Sequence, residues 1–170
     1  MGDKDKSTSS EMSDALLVPY RGVGLVSTGA AAPVVTNKGD DTFVITSVGA
    51  AFRLYHTKNL RCVFSSPPMH RPIGVLAATP DATAVALDAE VHLYQRERCV
   101  AVCKDEHHAP VTLLLAMGET LVSVDADGVV LAWDLKAAPQ PRVASRLSAN
   151  FVPSAICHPA TYLNKVLLGA

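Results

Sequence analysis

A serine, a histidine and a carboxylate close together in sequence are the ingredients of nucleophilic hydrolysis, and Ser123, His107 and Asp127 supply them. A hydrolase presents its serine on an exposed elbow flanked by glycines, G-x-S-x-G, with backbone N–H groups beside it to hold the oxyanion. Ser123 instead lies inside the apolar run Leu121-Val-Ser-Val-Asp125 with no flanking glycine, so a structural hydrogen-bond network is expected rather than a triad. Cys99-x-x-x-Cys103, followed by His107 and His108, has the ligand types of a zinc site. On an extended strand those two cysteines stand ~13 Å apart at ~3.3 Å per residue. One tetrahedral zinc holds its sulfurs at ~2.3 Å from the metal, so both cannot ligate it. The two thiols, like Cys62 and Cys157, are expected as small buried side chains.

The remaining candidates read as surface. Gly22-Val-Gly24 with Gly29 does not complete G-x-G-x-x-G, and G-x-x-x-x-G-K-[ST] is absent, so no nucleotide site is expected. His56 and His92 fall in or beside third strands, as solvated edge residues. His70 sits in a stiff connector, Pro67-Pro68-Met69-His70-Arg71-Pro72. Arg96, Arg98 and Lys104 are interleaved with Glu97, Asp105 and Glu106, which makes a solvated face rather than a phosphate site. The expectation is no catalytic residue, no cofactor, no metal and no small-molecule substrate.

The elements that carry these residues follow from composition and periodicity. The chain has 170 residues, 49% hydrophobic and 18% charged, with a formal net charge of −1. That balance excludes a disordered polymer and a strongly basic nucleic-acid coat. No apolar run approaches the ~20 residues of a membrane helix, the polar start MGDKDKSTSSEMSD lacks a signal-peptide core, and four irregularly spaced cysteines make no secreted disulfide framework. Residues 1 to 14 read as a disordered tail. After them come short β-branched runs broken every few residues by Gly, Pro and Asp, without a helical stripe, which indicates many short strands.

Laid against itself, the sequence repeats. FVITSVGAAFRLYH lies over ATAVALDAEVHLYQ and then over LVSVDADGVVLAWD, bringing Tyr55, Tyr94 and Trp133 into one column and Gly49, Asp88 and Asp127 into another. Ile45, Ala84 and Ser123 share a third column. Four strands in ~40 residues, repeated, is the period of a β-propeller blade. The third copy carries the WD pattern, in which His107, Ser123, the turn carboxylate Asp127 and the indole of Trp133 form one buried hydrogen-bond chain. The expected fold is therefore all-β, a partial WD-repeat β-propeller occupying residues 15–170. Its blade cores fall at about 39–66, 73–104 and 110–148, with an incomplete blade at 152–170. Three blades and the start of a fourth leave sheet edges open, as in the N-terminal piece of a longer protein.

Three segments carry a more specific likeness. They are Pro19-Tyr20-Arg21-Gly22-Val23-Gly24-Leu25-Val26-Ser27, then Thr42-Phe43-Val44-Ile45-Thr46-Ser47-Val48-Gly49 leading to Tyr55, and the closing run His158-Pro159-Ala160-Thr161-Tyr162-Leu163-Asn164-Lys165-Val166-Leu167-Leu168-Gly169. In that order the chain resembles the N-terminus of the large WD-repeat subunits of the small-subunit processome, proteins of the U3 small nucleolar ribonucleoprotein and its UTP-B subcomplex. The resemblance covers about residues 16–170. It implies a non-enzymatic scaffold of the nucleolus, working in ribosome assembly and processing of the small-subunit ribosomal RNA precursor. It also implies other processome subunits as partners, with the U3 small nucleolar RNA and the precursor RNA in the same particle. Glu106, where the family has glycine before the histidine, and the alanine-rich strands depart from its pattern. The competing expectation is a WD-repeat adaptor outside ribosome biogenesis, such as a ubiquitin-ligase substrate receptor, distinguished by the modules that accompany the propeller.

Overall fold

The computed structural model describes residues 24–136, 140–159 and 161–170. The tail expected at 1–14, and the beginning of the domain at 15, lie outside the described residues. Among the described residues the chain forms strands and no helix. The first sheet is β1 (Val34–Lys38), β2 (Asp41–Val48), β3 (Ala51–His56) and β4 (Arg61–Ser65), antiparallel and in chain order. The second is β5 (Val75–Ala78), β6 (Thr83–Leu87), β7 (Glu90–Gln95) and β8 (Arg98–Cys103) in the same order. The third is β9 (Val111–Met117), β10 (Thr120–Asp125), β11 (Val129–Asp134) and β12 (Pro141–Arg146). A two-stranded sheet, β13 (Ala155–Cys157) with β14 (Leu167–Gly169), follows. The leading strands β1, β5, β9 and β13 neighbour one another in turn, and the trailing strands β4, β8 and β12 carry the exposed edges. Strands leading at a shared axis and trailing outward make successive blades of a β-propeller.

Sequence alternation explains how the blades stack. Successive strand residues point to opposite faces, and β6 is buried on both. Its Val85 and Leu87 join Ile45 and Phe52 of the first sheet in one apolar cluster, with Ile73 and Leu76. Its Ala84 and Ala86 join Leu121, Leu131 and Trp133 of the third sheet in the other, with Val91, Leu93 and Val111. Small alanines thus face the sheet that contributes an indole, while larger aliphatics face the sheet whose Phe52 meets Tyr94 edge-on at 5.8 Å. At ~25 cal/mol per Å² of apolar surface removed from water, these two inter-sheet layers are the main stabilising element.

The hairpins follow their turn chemistry. Gly49 (φ 61°) and Asp88 (φ 62°) open the two-residue turns between second and third strands. Glycine adopts the left-handed region freely and aspartate tolerates it better than most residues. The first sheet begins at Val34, ahead of the expected 39. β1 reads VVTNK, too polar to resemble the apolar first strands of the other copies; Val34 packs on the apolar cluster and backbone pairing from Val34↔Ile45 to Lys38↔Asp41 holds the rest. Between the first two sheets, the proline-rich connector is fixed by Met69 N–H donating to the Ala50 carbonyl (2.8 Å), Ile73 N–H donating to that of Gly49 (3.2 Å), and an Arg71–Asp88 ion pair.

Candidate functional site

The third sheet and the connector before it bring His107, Ser123 and Trp133 together. His107 lies in the segment between β8 and β9, buried at 5% exposure, and points at the strand pair β10–β11. Trp133 Nε1 donates to Ser123 Oγ at 2.8 Å, and Ser123 Oγ lies 2.6 Å from His107 Nε2. His107 Nδ1 lies 2.9 Å from Oδ2 of Asp125. Indole nitrogen only donates and carboxylate only accepts, so Trp133 donates to Ser123 and Nδ1 carries the proton given to Asp125; with a neutral imidazole the serine hydroxyl then donates to Nε2. One chain of bonds runs from indole through hydroxyl and imidazole to carboxylate.

The carboxylate is Asp125 and not the expected Asp127. Asp127 is exposed, and its backbone N–H donates to Asp125 Oδ1 at 3.0 Å; the Val129 N–H reaches the same oxygen at 2.8 Å. Asp125 therefore ties His107 with one oxygen and closes the β10–β11 turn with the other. The reason is pleat and register. Residues two apart share a face, so Ser123 and Asp125 point the same way, whereas Asp127 has already entered the turn. The turn is also one residue longer than in the other copies: Tyr55 pairs with Val44 and Tyr94 with Thr83, but Trp133 pairs with Leu121.

That extra residue displaces the ungapped repeat on the second strand. By pairing, Ser123 (opposite Leu131) corresponds to Thr46 (opposite Arg53) and Val85 (opposite His92), not to Ile45 and Ala84, which lie on the other face. A one-residue slip exchanges the faces of a strand. Thr46 fits its position: its hydroxyl donates to the Val26 carbonyl at 2.5 Å, tying the entering segment to the first sheet much as Ser123 ties His107 to the third.

Chemically, Asp125–His107–Ser123 has the connectivity of a hydrolytic triad with its groups at hydrogen-bond distance. Ser123 is 0% exposed and its oxygen is already occupied by the indole, so a substrate carbonyl has no approach.

The other sequence candidates separate. Cys99 and Cys103 both lie on β8, but of the four thiols Cys103 alone is buried, and burial pushes it up to about 12. Cys62, Cys99 and Cys157 are exposed, against the expectation of buried thiols: Cys62 and Cys99 lie in the exposed stretches of the trailing strands β4 and β8, and Cys157 ends the mostly exposed strand β13. His56 and His92 are not free edge residues. Each is half-buried against a carboxylate, His56 at 3.2 Å from Asp41 and His92 at 2.9 Å from Glu90. The hydrogen bond from Lys58, then that from His56, holds the Asp41 carboxyl below its ordinary range. Arg96, Arg98 and Lys104 are exposed. Sequence reasoning missed Asp125, although its spacing of two from Ser123 was the available signal.

Comparison with known proteins places this architecture. The sequence pattern described as the WDR36/Utp21 first beta-propeller matches residues 44–170. The chain is 29% identical over 161 residues to the U3 small nucleolar RNA-associated protein 21 homolog of Schizosaccharomyces pombe, covering 91% of this chain and 17% of that protein. It is 27% identical over 167 residues to the WD repeat-containing protein 36 of Homo sapiens, covering 98% of this chain and 19% of that one. It thus spans less than a fifth of either relative. In fold, it is similar to a chain in the crystal structure of the mitotic checkpoint complex, with TM-score 0.63 and 16% identity over 79% of this chain and 43% of that chain. It is likewise similar to the computationally designed Ika8 protein, with TM-score 0.61 and 14% identity over 81% of this chain and 42% of that chain.

Proposed function

We propose that this chain, which belongs to the WDR36/Utp21 first beta-propeller family, serves as part of a non-enzymatic scaffold subunit of the small-subunit processome. In this reading the protein resides in the nucleolus and is needed for processing of the small-subunit ribosomal RNA precursor and for ribosome assembly. Its partners are other processome subunits, met through the propeller faces and blade edges. The U3 small nucleolar RNA and the precursor RNA belong to the same particle. The observation that carries the reading is the family match across residues 44–170, together with a relative named for its association with the U3 small nucleolar RNA.

The physical chemistry agrees with that assignment. Stacked blades joined by two apolar layers give a rigid body whose loops and edges can hold several partners at once. A formal net charge of −1 suits protein contacts better than unaided RNA binding, which draws its affinity from many Lys/Arg–phosphate contacts. The serine–histidine–carboxylate set of the third sheet is enclosed and used within the sheet. The test is purification of the tagged full-length protein from its cells at physiological salt, with the co-purified RNA probed. Enrichment of the U3 small nucleolar RNA and of uncleaved small-subunit precursor is the expected result. A soluble, intact protein that brings down neither contradicts the processome reading and favours an adaptor of another pathway.

A further inference from the structure

The outer half of the second sheet holds a cluster that neither the blade network nor the scaffold reading employs. Glu90, His92 and Tyr94 alternate along β7 and so share one face. Cys99 on β8 lies directly opposite Tyr94 in the strand register, beside the irregularity at Leu93/Tyr94. Glu90 Oε2 is 2.9 Å from His92 Nε2, and His92 Nδ1 is 3.9 Å from Cys99 Sγ. A carboxylate only accepts, so Nε2 carries a proton, and in the neutral imidazole Nδ1 turns its lone pair toward the thiol. The Tyr94 ring lies 6.3 Å from His92 with 12° between planes and the His70 ring lies 5.8 Å from it, so two rings neighbour the imidazole. The His92 side chain is 12% exposed while Cys99 is open to solvent, so the base is held and the sulfur can be reached.

We propose that Cys99 is a modification site for soft carbon electrophiles, with His92 taking up the thiol proton and Glu90 positioning the imidazole. In the step, the sulfur forms a bond to the electrophilic carbon as the leaving group departs with its electron pair. The thiol proton passes to Nδ1 of His92 and from there to water. Nothing is oxidised. The titratable groups facing the sulfur are His92 and Tyr94, with Glu90 behind His92 and with His70 and Lys104 acting on Glu90 from farther off. The hydrogen bond from His92 keeps the Glu90 carboxyl below its ordinary range, which preserves its acceptor role. Burial, and then Cys99, pushes the Tyr94 phenol up, so it stays neutral beside the thiol.

The fold supplies its own control. Cys62 lies opposite Tyr55 as Cys99 lies opposite Tyr94, and both thiols reach the carbonyl two residues on, at 3.3 and 3.5 Å. Where the second sheet has His92, the first has Arg53, which donates to the Leu25 carbonyl. The two cysteines therefore share strand position and exposure and differ in the imidazole. This inference does not rest on the scaffold reading.

The experiment is iodoacetamide alkylation of the full-length protein at pH 7, with labelling of each cysteine followed by peptide mass spectrometry over time. Cys99 is expected to react roughly tenfold faster than Cys62, below the ~10²–10⁴-fold that a fully aligned base contributes, because the His92–Cys99 contact is long at 3.9 Å. His92→Gln is expected to bring Cys99 down to the rate of Cys62, and Glu90→Gln to give an intermediate rate. Buried Cys103 stays unlabelled while the sheet is intact, so it reports the fold in every variant. Equal rates for Cys99 and Cys62 in the unmodified protein overturn the proposal. So does an unchanged Cys99 rate in His92→Gln with Cys103 still protected. If His92→Gln exposes Cys103, the wild-type rate ratio and Glu90→Gln decide the matter.

Discussion

Replacing Asp125 by alanine should loosen the third sheet far more than the same change at Asp127. Asp125 Oδ2 accepts from buried His107, and its Oδ1 accepts from the backbone N–H groups of Asp127 and Val129. Alanine leaves the imidazole N–H without a partner in a site where Asp125 and His107 side chains are each only 1% exposed. A hydrogen bond to a charged acceptor is worth about 1.5–3 kcal/mol, and an orphaned buried donor adds its own desolvation cost. The Asp127 amide adjoins exposed Ala126 and can turn to water, so it adds little; the Val129 amide, between buried Gly128 and half-buried Val129, adds to the loss. The total is about 3–4 kcal/mol. Asp127→Ala removes only an exposed side chain and should fall within about 0.5 kcal/mol of wild type. A multi-blade protein does not promise a two-state melt, so the assay is amide hydrogen exchange of the full-length protein, read over β9 to β11. At 1.4 kcal/mol per factor of ten, Asp125→Ala should speed exchange there by about 100- to 1,000-fold where opening is local. Equal effects of the two alanines, or unchanged protection in Asp125→Ala, would refute the bond assignments.

Three further outcomes can be checked on the same protein. Trp133→Ala should cost about 3–5 kcal/mol, because it empties the apolar layer between second and third sheets and strips Ser123 of its donor; exchange over β6 and β10 reads this out. Ser47→Ala should be neutral or stabilise by up to about 1 kcal/mol, since the Ser47 hydroxyl is fully buried without a hydrogen-bond partner among the described residues; faster exchange in β2 would contradict it. Cys103 should ignore thiol reagents at neutral pH. Because its folded pKa, about 12, lies above the ordinary 9.0, the stability it contributes is intact below pH 9 and falls as pH rises toward 12. Replacing it with alanine should flatten that alkaline loss, which denaturant titration at pH 8 and pH 10 would show.

The repeat of aromatic columns was legible because it is built from side chains every blade must bury. Tyr55, Tyr94 and Trp133 all sit on third strands facing the preceding side of their sheets. The second-strand columns were legible only to within one residue. The longer β10–β11 turn inserts a residue that an ungapped repeat cannot see, and in a strand one residue reverses the face. That single slip assigned the network carboxylate to Asp127 and paired Ser123 with Ile45 and Ala84. β1 was illegible for another reason, since polar VVTNK gives only Val34 to the apolar cluster and otherwise depends on its ladder to β2. The surface histidines were misread because a histidine's partner across or along a strand, such as Asp41 for His56, is a matter of register rather than of local composition.

The proposed scaffold role in assembly of the small ribosomal subunit is tested most directly by rapid depletion of the full-length protein in living cells. Probing total RNA for the small-subunit ribosomal RNA precursor should then show uncleaved precursor accumulating while large-subunit RNA continues to mature. Normal cleavage of the small-subunit precursor after complete depletion would contradict the account.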